Sequence, residues 1–561
     1  MTQPSLLSVL DLNVTISGRS GSVSAVAGVS FDIERGQTLA LVGESGSGKS
    51  MTAMSLIGLT PVGTRVTTSG RAMFSGRDLL ALPEAQLRAI RSREIAVVFQ
   101  DPSAALNPLM TVAAQISEVL PRDVRRKSDA ERRIAELLAE VGLDRVPDAT
   151  RRYPHELSGG QQQRVAIAIA LAGNPSLLIA DEPTTALDMT VQAQILQLLK
   201  RLQQARGMAM LLITHDLGIV ANHADDVLVL QKGKTVEQGP TGEVLTAPQQ
   251  DYTRMLLDAR PSVRAPGTRP SLPSPASSGA RPENLLSVGN LLVTYPGRGP
   301  FSRPVIAVDG VTFDVPKGSA LGIVGESGSG KSTVAKAIVG LSRIESGTIH
   351  LDGAALADPA RMPAAFRARM QYIFQDSYGA LNPRLTVEQA VGEPFAISGM
   401  ARPKRRDAVV ALLEEVGLSS THLNRLPREL SGGQRQRVNI ARALALSPQL
   451  LICDEIVSAL DVSIQAQVLK LLKELQRTRS LTLMFISHDL AVVSELCDSV
   501  IVMQAGRVVE KGAAADLFST PTHPYTQGLL AAAAALEQIG SLSSTVRQLP
   551  RMTEKRHEPT L

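Results

Sequence analysis

The sequence is short of the features that mark secreted, membrane-spanning or nucleic-acid-coating proteins. Only two cysteines, Cys453 and Cys497, occur in 561 residues. They exclude a disulfide framework and any four-thiolate metal or iron–sulfur centre within one chain. The longest apolar run, Leu529–Leu536, is mostly alanine and far short of the ~20 residues that a membrane-spanning helix needs. The opening stretch from Met1 to Leu10 lacks a basic segment and meets Asp11 early, which argues against a secretory signal. Charge of one sign is also scarce: 58 Lys and Arg face 53 Asp and Glu, for a net charge of +5. That mild excess permits anionic partners such as nucleotides but does not point to nucleic acid. The expectation is a soluble chain in a reducing cytoplasm that reaches a membrane only through partners.

What is present is a duplication. At ~150 residues per domain the length allows three or four domains, and 44% apolar content suffices for more than one core. The segment Gly43-Glu-Ser-Gly-Ser-Gly-Lys-Ser50 recurs letter for letter as Gly325 to Ser332. Leu157-Ser-Gly-Gly-Gln161 recurs as Leu430 to Gln434, Asp181-Glu182 as Asp454-Glu455, and His215-Asp216 as His488-Asp489. The last three pairs share one offset, 273 (430 against 157, 454 against 181, 488 against 215). The C-terminal parts of the halves therefore match without net insertion. Two repeats of ~260 residues are too large for a solenoid and read as tandem domains.

The expected first domain spans residues 1–257 and the second 285–540. Between them, 258–284 holds six prolines among Ser, Ala, Gly and Arg, the composition of an extended linker. Such a coil spans roughly 30 Å on average, enough to let the halves pair within one chain. Residues 541–561 form a polar tail without assignment. Within each half, short apolar runs alternate with helical patterns. Thr38–Val42, Ala320–Val324, 176–180, 449–453, 208–214 and 481–487 read as strands, and 190–206 and 463–479 as helices. That alternation predicts an α/β fold with a largely parallel sheet and its sites at strand C-terminal ends.

The motifs fall at those ends. Gly43, Glu44, Ser45, Gly46, Ser47, Gly48, Lys49 and Ser50 follow a strand and open a helix, the context that a phosphate-binding loop requires. Its glycines let backbone N–H groups face phosphate oxygens, and the helix N-terminus adds positive potential. Lys49 is expected to reach the β- and γ-phosphates and Ser50 to ligate magnesium. Gly325, Glu326, Ser327, Gly328, Ser329, Gly330, Lys331 and Ser332, with Thr333 next, repeat the arrangement. Asp181 and Asp454 end apolar strands, where a carboxylate can hold magnesium directly or through water. Glu182 and Glu455 follow, placed to orient or deprotonate an attacking water. His215 and His488 end further strands and read as γ-phosphate sensors and partners of the glutamates. Gln100 and Gln375, each after a short apolar run, can touch metal or water and let go without a charge penalty. Ser158, Gly159 and Gly160, and likewise Ser431, Gly432 and Gly433, make a second phosphate cradle where a helix opens at Gln161 and Gln434. One nucleotide has no need of two cradles, so each should serve the other half's nucleotide.

This motif set resembles the ATP-binding cassette ATPases over both halves. The resemblance implies two tandem P-loop domains, each with a mostly parallel sheet core, an antiparallel β subdomain and a helical subdomain. It also implies a head-to-tail sandwich around two ATP molecules. One site would join Gly43 to Ser50, Gln100, Asp181, Glu182 and His215 with Ser431 and Gly433. The other would join Gly325 to Ser332, Gln375, Asp454, Glu455 and His488 with Ser158 and Gly160. Asp188 and Asp461 match the family's loop that couples the sites, and both sites keep a full catalytic set.

Gln100-Asp-Pro-Ser-Ala-Ala-Leu-Asn-Pro108, the stretch Asp454 to Gln467, and Thr522-His-Pro-Tyr-Thr526 look like the dipeptide and oligopeptide importer subgroup. That likeness implies two membrane permeases and an extracytoplasmic binding protein as partners, ATP and magnesium as cofactors, and the cytoplasmic face of the inner membrane as location. Permease helices would dock around 100–110 and 375–385. Some positions depart from the family. Tyr295 is the second half's aromatic for stacking on adenine, whereas the first half offers Ile16, so about 1–3 kcal/mol of stacking is missing there. Ile456 stands where proline usually follows the glutamate, and Asp376-Ser377 replaces Asp-Pro. No iron–sulfur centre is expected, because the cysteine cluster of some relatives is missing. A ribosome-binding tandem cassette would carry a long charged helical linker, and a DNA-repair cassette would carry zinc-binding cysteines; neither fits.

Overall fold

The computed structural model describes residues 5–18, 21–60, 63–121, 124, 127–185, 187–259, 283–297, 304–356, 361–458 and 460–537. Most of the expected linker and the whole polar tail lie outside them. The chain folds as two compact units, one carried mainly by residues up to Asp258, the other by residues from Ala259 to Ala535.

The centre of the first unit is a six-stranded sheet. Its order is Lys234–Pro240, Asp226–Gln231, Thr38–Val42, Ala209–Thr214, Leu177–Asp181 and Ile95–Val98. All neighbours run parallel except the antiparallel pair at the first edge. Thr38–Val42, Leu177–Asp181 and Ala209–Thr214 are buried along their whole length. That explains why they read as continuous apolar runs without alternation: a parallel strand covered on both faces has no polar side. Beside it lies a four-stranded antiparallel sheet in the order Gly21–Ile33, Leu7–Gly18, Arg65–Phe74 and Arg77–Asp78. Leu7, Leu12, Phe31, Ile33 and Phe74 of this sheet share one core with Leu39, Leu41, Leu56 and Ile213.

The second unit repeats the plan. Its six strands are ordered Arg507–Ala513, Ser499–Gln504, Ala320–Val324, Thr482–Ile486, Leu450–Asp454 and Met370–Ile373, and its antiparallel sheet Val305–Pro316, Asn284–Tyr295, Ser346–Leu351 and Ala354–Ala355. The registers coincide: Leu7 faces Ile33 and Phe74, while Leu286 faces Val315 and Leu351.

Each unit also carries a helical region between its second and third parallel strands in chain order. In the first it comprises Val112–Val119, Lys127–Glu140 and Gly159–Ala172, and in the second Val387–Ile397, Arg402–Glu415 and Gly432–Leu444. The helices that follow Ser158 and Ser431 open at Gly159 and Gly432, two residues before the sequence-based expectation. Glycine disfavours helix, but the serine side chain offsets that cost. Ser158 Oγ accepts from the Gln161 amide, Gln161 Oε1 accepts from the Ser158 amide, and Ser431 and Gln434 do the same.

Candidate functional site

Four neighbouring parallel strands deliver the site residues of the first unit to one edge. Val42 leads into the glycine-rich loop, Thr214 into His215, Asp181 into Glu182, and Val98, through Phe99, into Gln100. In a parallel sheet all four carboxyl ends lie on the same side, the usual place for a ligand. The loop itself demands glycine. At Gly43, with φ +150°, a Cβ would lie 2.2 Å from the Leu230 carbonyl oxygen, and at Gly325, with φ +151°, 2.2 Å from that of Met503.

Lys49 is buried and turns back on its own loop. Its Nζ donates to the carbonyls of Gly43 at 2.6 Å and Glu44 at 3.0 Å. Lys331 makes the same bonds, to Gly325 and Glu326, both at 2.8 Å. Next to the lysine, Ser50 Oγ donates to Asp181 Oδ1 at 2.9 Å, and Ser332 Oγ donates to Asp454 Oδ1 at 2.8 Å.

The glutamates occupy an uncommon backbone state. Glu182 has φ +45° and Glu455 φ +49°, the left-handed region that non-glycine residues rarely enter. Their amides donate to the Ile213 and Ile486 carbonyls at 2.9 Å, which pins each turn to the neighbouring strand. The Glu182 carboxylate accepts from Gln100 Nε2 and Thr185 Oγ1, both at 2.9 Å, and lies 3.2 Å from His215 Nδ1. Glu455 accepts from Gln375 Nε2 at 2.7 Å and lies 3.4 Å from His488 Nδ1. The sequence-predicted aspartate, glutamate, histidine, glutamine, lysine and serine of each half thus come together in that half.

The adjacent carboxylates are pushed in opposite directions. Burial raises Asp181 and Asp454, and the hydroxyls beside them counter it only in part. Burial also acts upward on Glu182 and Glu455, but His215 and His488, helped by Thr185 and Lys49 in the first half and by Lys331 in the second, outweigh it and leave both glutamates below their ordinary values. His488 is raised in turn: burial opposes its charge, and Glu455 more than compensates. One carboxyl of each pair is thus kept ionised, while its neighbour is a buried group whose ionised form is disfavoured.

Two details escaped sequence reasoning. Tyr372 OH donates to Asp454 Oδ2, while Val97 holds the matching strand position in the first unit. Thr185 holds the Glu182 carboxylate, whereas Ser458 at the matching position donates to the Glu455 carbonyl at 2.9 Å. Tyr372 sits in an apolar run and so reads as core; only the hydroxyl on a buried strand hints at a partner. Tyr295 is exposed at the end of its strand, shares a 3.0 Å hydrogen bond with Ser342 Oγ, and occupies the register position that Ile16 holds in the first unit.

Beside Gln100 a groove of about 220 Å³ is lined by Leu59, Arg91, Val97, Phe99, Val119 and Ile169. Beside Gln375 one of about 260 Å³ is lined by Val339, Leu341, Met370, Tyr372, Phe374 and Arg442. Phe99 and Phe374 are 42% and 39% exposed.

The family model described as "ABC transporter" matches residues 26–185 and again 308–458. The model described as "Oligopeptide/dipeptide transporter, C-terminal region" matches 236–287 and 509–557. The peptidoglycan transport ATP-binding protein YejF of Agrobacterium fabrum is 46% identical over 548 residues, covering 96% of this chain and 98% of its own. The glutathione import ATP-binding protein GsiA of Escherichia coli K12 is 44% identical over 566 residues, covering 95% and 90%. With two cassettes, each bearing a phosphate loop and an acidic pair at the edge of a parallel sheet, the chain belongs to the ABC transporter family, as a tandem-cassette ATPase of its oligopeptide and dipeptide importers.

Proposed function

We propose that this chain drives an importer of short peptides from the cytoplasmic face of the inner membrane, acting on two permease subunits fed by an extracytoplasmic binding protein. The observation that carries the proposal is the complete set of lysine, serine, aspartate, glutamate, glutamine and histidine gathered at one sheet edge in each half. Relatives that match the chain along its length are ATP-binding proteins for peptidoglycan transport and glutathione import, and glutathione is itself a tripeptide. No helix among the described residues is long and apolar enough to cross a membrane, so translocation falls to partners. The grooves beside Phe99 and Phe374 suit the apolar face of a permease helix.

In this reading residues 1–257 and 285–540 are the two cassettes, joined by 258–284 and followed by the tail 541–561. They pair within one chain. ATP held by Gly43 to Ser50 is completed by Ser431 and Gly433, and ATP held by Gly325 to Ser332 by Ser158 and Gly160. Closure of the pair switches the permeases, and hydrolysis reopens it. Affinity purification of the tagged chain from solubilised native membranes, followed by mass spectrometry, tests the proposal. Two permeases and a binding protein are expected, and ligand eluted from that protein names the cargo. Ribosomal proteins without permeases would overturn the transport reading.

The donor set fits magnesium. Among the described residues no three His, Cys, Asp or Glu side chains converge as a metal cage, whereas Ser50 with Asp181, and Ser332 with Asp454, offer paired oxygens. Magnesium is commonly held by one or two such ligands plus substrate phosphates and water. Gln100 and Gln375 complete the proposed ligands, and the bound ion would neutralise charge on the β- and γ-phosphates. Tyr372 then fixes the orientation of a metal ligand in the second half alone. Outer-shell partners of this kind are worth roughly 10- to 100-fold in metal affinity. Tyr372→Phe should therefore raise the magnesium concentration needed for half-maximal ATPase activity, read from a magnesium titration. An unchanged titration would show that the hydroxyl only packs.

A further inference from the structure

The sequence carries a His-Pro-Tyr-Thr segment, 523–526, that the hydrolytic set leaves without a task. Tyr525 OH accepts a hydrogen bond from the Glu326 amide at 3.0 Å, and Glu326 is the second residue of the phosphate loop. The first half lacks the His-Pro but repeats the contact: Tyr252 OH accepts from the Glu44 amide at 3.3 Å. Partners some 200 residues apart thus meet in the same way in both cassettes. What the halves share in this segment is Tyr-Thr, not the histidine and proline that make the motif visible.

A carboxylate sets each tyrosine in place. Glu237, on the last strand of the first sheet, accepts from the amides of Gln249 at 2.7 Å and Gln250 at 3.3 Å, just before helix Asp251–Asp258. Glu510 accepts from the Thr522 amide at 2.8 Å, the Thr522 hydroxyl at 2.9 Å and the His523 amide at 3.2 Å, just before helix Pro524–Glu537. Burial acts upward on Glu510, but the bonds from Thr526, Thr522 and His523 bring it down to about 2, so the clamp stays ionised at any physiological pH. The tyrosine is the second residue of each helix, and its ring packs into the core beneath the loop.

The geometry of one peptide unit gives the contact its meaning. The amide that binds Tyr252 belongs to the Gly43–Glu44 peptide, whose carbonyl accepts from Lys49; Tyr525, Lys331 and the Gly325–Glu326 peptide form the same trio. This peptide is therefore held from both ends, by a lysine that must leave it for phosphate and by a tyrosine that need not. Gly43 and Gly325 impose little conformational preference of their own. Without the hydroxyl, the peptide loses its tie to the C-terminal helix at the moment the lysine departs.

We propose that Tyr252 and Tyr525 are positioning residues that keep the phosphate loop in its binding shape while its lysine changes partner, and so couple the C-terminal segment of each cassette to ATP affinity. The proposal rests on the ATPase reading above. Its test compares the full-length Tyr252→Phe/Tyr525→Phe chain with wild type in ATP turnover, melting temperature and amide hydrogen exchange of the peptides covering 43–50 and 325–332. Phenylalanine keeps the ring and removes only the hydroxyl. A neutral hydrogen bond is worth about a three- to tenfold change in an equilibrium constant. The expected result is a KM for ATP raised by about that factor, little change in kcat, faster exchange in both loops, and an unaltered melting temperature. Glu237→Gln/Glu510→Gln, which loosens the clamp and leaves the tyrosines in place, should shift KM the same way. Wild-type KM and loop exchange in the phenylalanine variant would overturn the proposal, as would a fall in melting temperature and kcat with KM unmoved. A wild-type chain without ATP turnover would instead fail the ATPase reading, which separates the two.

Discussion

A chain carrying Glu182→Gln and Glu455→Gln is expected to bind ATP and fail to turn it over, with kcat lowered roughly 10²- to 10⁴-fold. Glutamine nearly matches glutamate in shape, so the hydrogen bonds from Gln100, Thr185 and Gln375 keep an acceptor. It is also no harder to hold at positive φ than glutamate, so the left-handed turns at 182 and 455 should persist. What disappears is the basic oxygen. The surroundings of Glu182 and Glu455 hold both carboxyls below their ordinary values and so favour the ionised form, which can accept a hydrogen bond from a water and orient it. Phosphate release and nucleotide retained through gel filtration give the two readouts. Turnover within tenfold of wild type would remove these glutamates from the chemistry. Loss of both binding and turnover would mean that the charge at 182 and 455 organises the site rather than attacks through it.

The two single variants carry further information. Glu182 is held by three side chains, Gln100, Thr185 and His215, whereas Ser458 leaves the Glu455 carboxylate for the backbone. Tyr372 braces Asp454, and Val97 gives Asp181 no such support. The halves share these site residues and differ in what steadies them.

How much of this was legible in the sequence depends on distance along the chain. The strands Thr38–Val42 and Ala320–Val324 match the expectation residue for residue, because a doubly covered parallel strand is a plain apolar run bounded by glycine. The strands ending in Asp181 and Asp454 run one residue further than the apolar pattern, since the ladder continues after the hydrophobic residues stop. Helices opening at Gly159 and Gly432 were masked by the poor helix propensity of glycine, although Ser158 with Gln161 is the signature of a capping box. The positive φ of Glu182 and Glu455 has no local signal, because it is imposed by the amide bond to the strand beside it. Contacts such as Tyr525 to Glu326 or Tyr372 to Asp454 join segments that periodicity treats as independent. The groups gathered at the sheet edge were readable because the chemistry expected of them restricts residue type. Supporting groups were not, because many residue types can fill a core.

Removing the loop lysines is the second large effect. Lys49→Met with Lys331→Met should weaken ATP binding by about one to two orders of magnitude per site, since hydrogen bonds to a charged group are worth about 1.5–3 kcal/mol. Both lysines are almost wholly buried, at 5% and 4% exposure, and a methionine fills that volume without carrying the charge. Each ammonium donates to two loop carbonyls, so a phosphate must compete with bonds of 2.6–3.0 Å to Gly43, Glu44, Gly325 and Glu326. The methionine variant loses those bonds as well, and the loop is then held by its remaining backbone bonds, such as Gly233 N to Ser47 O at 2.9 Å and Gly506 N to Ser329 O at 3.0 Å. Titration with a fluorescent ATP analogue measures the loss, and melting curves separate it from unfolding. If the lysine's competing bonds to the loop dominated over its bond to phosphate, affinity would stay near the wild-type value. A large loss at unchanged melting temperature shows that the ammonium gains more from phosphate than it gives up at the loop, which is the condition for the lysine to exchange partners when ATP arrives.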